Sequence, residues 1–94
     1  MSEIVGAARE LTFLQRRRMG VTLLNARRIA KRLKAEGVLA KDRAERAQQI
    51  AEELCIENAA DAEVCAIEYG TWEEFFQALA AFIETIMPLI LLFL

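Results

Sequence analysis

Ninety-four residues make one small domain, and the charge is nearly balanced: twelve Lys and Arg stand against fourteen Asp and Glu, a net −2, with no histidine. Without an imidazole, with Ser2 as the sole serine, and with neither a nucleophile elbow nor a glycine-rich phosphate loop, no enzymatic activity is expected. Two cysteines cannot supply the four ligands of a tetrahedral zinc site and no EF-hand loop is present, so no metal, other cofactor or small-molecule substrate is expected either.

The periodicity is helical from end to end, which predicts an all-α fold: a small bundle of three to five helices. Ile4, Ala8, Leu11 and Leu14 step along one face of a first helix over about 3–18, closed by Arg16, Arg17 and Arg18, whose charges suit the negative end of the helix dipole. Gly20 is either a break or a tolerated interior glycine. A second helix over about 22–36 turns Leu23, Ala26, Ile29, Ala30 and Leu33 inward and stops at Gly37, a left-handed C-terminal residue. Asp42 and Glu45 have capping-box spacing for a third helix, with Ala44, Ala47, Ile50, Ala51 and Leu54 inward and Asn58 as terminator. A short helix or turn covers about 60–69 and ends at Gly70.

Thr71 with Glu74 three positions on is the strongest start signal in the chain. It predicts a long apolar C-terminal helix from Trp72, kinked near Pro88, where a backbone donor is missing. The chain then divides into a basic-to-acidic helical part, 1–70, and the apolar C-terminal helix, 71–94, within a single compact unit. Phe75 to Leu94 has the length of a bilayer core, with only Gln77, Glu84 and Thr85 polar. A tail anchor or pore-forming segment is therefore one alternative. Against it stand the narrow stripe of Glu73, Gln77, Ala81, Glu84 and Pro88, the position of Glu84 in mid-segment, and the absence of flanking Lys or Arg.

Charge is segregated along the chain. Residues 1–48 carry twelve basic and five acidic side chains, a net +7, whereas residues 49–94 carry no basic and nine acidic ones, a net −9. Arg16, Arg17, Arg18, Arg27, Arg28, Lys31, Arg32 and Lys34 are the polyanion-binding candidates. In the basic half only Phe13 offers an aromatic ring for base stacking. Glu53 and Glu57 repel at i,i+4 spacing, which a facing basic surface would relieve, within the fold or between subunits. Glu84 is a candidate for a buried ion pair. Cys55 and Cys65 read as small buried hydrophobes, although a bridge between them stays open.

With an apolar fraction of 55%, above the roughly 45–50% of ordinary chains, part of the surface calls for a partner. The expected function is that of a non-enzymatic assembly or scaffolding subunit. It would oligomerise or dock on a larger protein through Trp72, Phe75, Phe76, Leu79, Phe82, Ile83, Ile86 and Ile90, while its basic half meets an acidic partner surface. A non-specific nucleic-acid packaging protein is the second alternative. Lacking a secretory signal pattern, the chain is expected in the cytoplasm or inside an assembled particle, or membrane-anchored under the first alternative.

Overall fold

The computed structural model describes residues 10–92 and is all-helical: α1 Phe13–Arg18, α2 Leu23–Ala35, α3 Arg43–Glu57, α4 Ala59–Tyr69, α5 Trp72–Thr85 and α6 Met87–Ile90. Six helices among the described residues exceed the three to five expected, because the apolar C-terminal segment forms two helices and α4 is a full helix. Ile4 and Ala8 lie outside the described residues.

Each boundary has a local cause. Thr12 and Gln15 close a reciprocal capping box at the start of α1, each backbone N–H donating to the other's side chain at 3.0 Å. Thr22, Asp42 and Thr71 cap α2, α3 and α5 by accepting from the backbone N–H three residues on. At the end of α1 the N–H of Gly20 donates to Arg17 and that of Val21 to Arg16. At the end of α2 Gly37 donates to Lys34 and Val38 to Leu33. Both are the paired reverse bonds of a Schellman ending, and both place glycine at positive φ, +66° and +77°. Gly20 is thus a break and not a helix-interior residue. Asn58 ends α3 and donates through Nδ2 to the carbonyls of Leu54 and Met19 at 3.0 and 3.1 Å. One side chain therefore ties the α1–α2 turn to the α3–α4 joint.

α3 packs most extensively on α5, α4 covers α5 from another side, and α2 meets both α3 and α6. The core is drawn from every helix but α1: Ala26, Ile29, Ala30 and Leu33; Ala47, Ile50, Ala51 and Leu54; Ala62, Cys65 and Ala66; Phe75, Leu79 and Ile83; Met87 and Ile90. Leu11 and Met19 flank α1 and are buried, but within it Leu14 is 60% exposed and Gln15 is the buried residue. The capping box turns Gln15 inward, and the six-residue helix has no room for a second apolar step. Leu23 and Ala44 also face outward, against expectation.

The single C-terminal helix expected from the sequence is replaced by two. Ile86 ends α5 with its N–H shared between Phe82 and Ile83 at 3.3 and 3.2 Å. Pro88 then occupies the first turn of α6, where its missing N–H leaves no bond unmade. The break lets α6 return onto α2 and bury Met87 and Ile90. Among the described residues no helix is long and apolar enough to cross a membrane.

Candidate functional site

The charge asymmetry is met first within the chain. α2 lies beside α3 so that Arg28 grips Glu57 with both guanidinium nitrogens, at 2.8 and 3.1 Å, and Arg32 reaches Glu53 at 2.5 Å and Glu36 at 3.6 Å. Glu53 and Glu57, one turn apart on α3, are thus each neutralised by an arginine one turn apart on α2. The Arg28 guanidinium holds the Glu57 carboxyl below the usual carboxylate range, chiefly by hydrogen bonding and then by charge. Arg18 meets Glu68 at 3.4 Å. Arg16 donates to the carbonyl of Leu11 and stacks its guanidinium 4.8 Å from the centre of the Phe82 ring.

Half of the polyanion-binding candidates are therefore engaged with the chain itself: Arg16, Arg18, Arg28 and Arg32. Arg27 is half-buried and also in contact with the chain. Arg17, Lys31 and Lys34 are exposed and form no ion pair among the described residues. The eight are divided between engagement within the chain and solvent. Glu84 is half-buried and makes no ion pair among the described residues.

The eight expected interface residues also divide. Phe75, Leu79, Ile83 and Ile90 are closed completely within the chain's own core, a correction to their reading as contacts for another molecule. A helix can bury one stripe only once. Trp72, Phe76, Phe82 and Ile86 keep exposed surface; Phe82 is partly roofed by Arg16.

Trp72 and Phe76, one turn apart on α5, form one wall of an open groove of about 390 Å³. Glu52, Cys55 and Ile56 of α3 form the rest. The Trp72 ring is braced against buried Phe75, with centroids 5.8 Å apart and planes tilted by 54°. Trp72 remains 46% exposed and Ile56 69% exposed. These are large apolar groups left in water on a site already shaped for contact. Cys55 is buried at the groove's base; burial first, then the Glu52 carboxylate and Cys65, push its thiol up to about 11. At neutral pH it is a protonated, apolar part of the wall and not a nucleophile. Cys65 is likewise a free, buried thiol, raised mainly by burial.

Glu52, Cys55 and Ile56 were not anticipated as site residues. Ile56 did carry a signal: it is a large apolar residue on the outward side of α3, next to Glu57 and off the Ala47–Ile50–Ala51–Leu54 stripe. No group of three or more His, Cys, Asp or Glu side chains able to hold a metal ion occurs among the described residues. Comparison with protein-family models, with curated proteins and with solved structures finds no match for the chain.

Proposed function

We propose that this protein is a non-catalytic docking module, an assembly subunit whose binding site is the groove between α3 and the start of α5. One observation carries the reading: Trp72, Phe76 and Ile56 line a concave apolar surface although the chain has closed Phe75, Leu79 and Ile83 of the same helix into its core. Aromatic groups held rigidly at a concave site dominate the energetics of protein–protein contacts. The groove is open and not an enclosed cavity, whereas a bound small molecule ordinarily loses roughly 70–90% of its surface. It offers room for apolar side chains presented by another polypeptide. The carboxylate of Glu52 on its rim selects for a cation beside them.

Site-specific photo-crosslinking in the native host tests this. With the photoreactive phenylalanine placed at Ile56, adducts to polypeptide are expected, and none when it replaces exposed Gln48 earlier on the same helix. No adduct at position 56, or adducts to phospholipid or nucleic acid, would refute a protein-docking groove.

A further inference from the structure

The groove has a chemical complement on the same molecule. Its walls come from residues 52–76, a stretch with no Lys or Arg. Glu52, which lines it, forms no ion pair among the described residues, and neither do Glu73 and Glu74, which follow Trp72 in the sequence. The site is therefore apolar, with an uncompensated negative rim. On α1, Phe13 and Leu14 are 70% and 60% exposed on the first turn. Arg17 follows one turn later, exposed and free of any ion pair among the described residues. That edge is apolar with an uncompensated positive flank.

The two surfaces cannot meet within one chain. Arg16 over Phe82 fixes α1 beside the C-terminal half of α5. Trp72 lies ten residues earlier on that helix, about 15 Å away at 1.5 Å per residue. Resting on the docking reading above, we infer that a second copy of this chain fills the groove. Phe13 and Leu14 of one molecule sit between Ile56 and Trp72 of the next, and Arg17 meets the Glu52 carboxylate on the rim.

Such a contact is heterologous: each molecule keeps a free groove at one end and a free α1 edge at the other. It propagates into a ring or an open filament and does not stop at a two-fold dimer. A groove lined by five residues is small beside the roughly 20–30 residues a side of a stable interface. Association is therefore concentration-dependent and weakens as salt screens the Arg17–carboxylate attraction.

Analytical ultracentrifugation of the full chain decides it. Wild-type protein is expected to grow past dimer with concentration and to shift several-fold towards monomer at high salt. The edge variant, Phe13→Glu with Leu14→Glu, and the groove variant, Ile56→Glu, are each expected to associate at least tenfold more weakly. All three positions are exposed, so unchanged thermal melts show that folding is intact. An equimolar mixture of the two variants is the distinguishing measurement. It retains one intact groove and one intact edge, so it should form a 1:1 complex that grows no further. A mixture that stays monomeric, or an edge variant that associates like wild type, overturns the second-copy assignment. Should the purified chain stay monomeric while position 56 still crosslinks to another polypeptide, the groove reading survives and this occupant does not. Loss of both signals sinks both.

Discussion

Phe75 and Phe76 are adjacent on α5, share one backbone environment and have opposite fates, which makes them a matched pair. Phe75 is completely buried against the core, whereas Phe76 is only partly covered and lines the groove. Truncating a fully buried phenylalanine to alanine costs about 3–5 kcal/mol, transfer and cavity together. A chain of 94 residues has a total stability of roughly 5–14 kcal/mol. Phe75→Ala therefore removes a large part of it and lowers the melting temperature by roughly 12–40 °C, at about 4–8 °C per kcal/mol. Phe76→Ala loses about half of a burial term of ~1.5–3 kcal/mol, so ~1 kcal/mol and a shift of less than about 10 °C. Helix propensity changes equally in both and cancels. Circular dichroism melts at the lowest workable concentration keep association out of the comparison. If Phe75→Ala melts within a few degrees of wild type, or the two variants fall together, α5 is not wedged into its own core and the division of its residues drawn here is wrong.

The Glu57 carboxyl has a depressed pKa in the fold, so the stability it contributes is present above its ordinary value of 4.5 and lost as pH falls through the lowered one. Urea midpoints should decline from neutral pH into the acid range more steeply for wild type than for Glu57→Gln, and parallel profiles would remove the pair from the account. With Cys55 pushed up to about 11 from 9.0, its thiolate fraction at pH 8 is about a hundredfold below that of an ordinary thiol. Labelling by a disulfide reagent should be slow in native buffer and fast in denaturant; fast native labelling would contradict the burial. Gly20→Ala and Gly37→Ala each force a Cβ into positive φ, at about 1–2 kcal/mol. At Gly20 that Cβ would also lie 3.2 Å from Asn25 Nδ2, which donates to Gly20's own carbonyl, while at Gly37 it meets nothing. Chemical denaturation should rank Gly20→Ala as the more harmful, and the reverse order would refute the clash.

Features coded by near neighbours were legible in the sequence. Thr71 with Glu74, Asp42 with Glu45, Asn58 and Gly37 each mark a helix end found where the local chemistry placed it. The inward faces of α2 and α3 followed from spacing, except at Leu23 and Ala44 on the first turns. The route of the C-terminal segment was not legible. From Phe75 onward nearly every residue is apolar, so periodicity does not say which face is covered, and only Pro88 hints at the break at Ile86. What decides it is the docking of α6 on α2, a contact between residues more than fifty positions apart. The groove was half legible for the same reason. Trp72 and Phe76 stand out as aromatics, but Ile56 becomes a site residue only when α3 and α5 pack side by side.

Charge segregated along a chain need not produce a charged surface, since packing can bring the two halves together. Here it does so in part. The Arg28–Glu57 and Arg32–Glu53 rungs consume the charges where α2 lies against α3. Both pairs are partly exposed, so each adds little to stability. Their stronger consequence is register, because sliding α2 by one turn would set Arg28 against Glu53 and leave Glu57 without its partner. Away from that seam Arg18 still meets Glu68, but several other charges form no ion pair among the described residues. Two of them, positive Arg17 on α1 and negative Glu52 at the groove, border exposed apolar side chains: Phe13 and Leu14 at one, Ile56 and Trp72 at the other. A solvated face needs only the charge. Association requires charge coupled to uncovered hydrophobic surface, and the proposed self-docking rests on finding that coupling, with opposite sign, at both places.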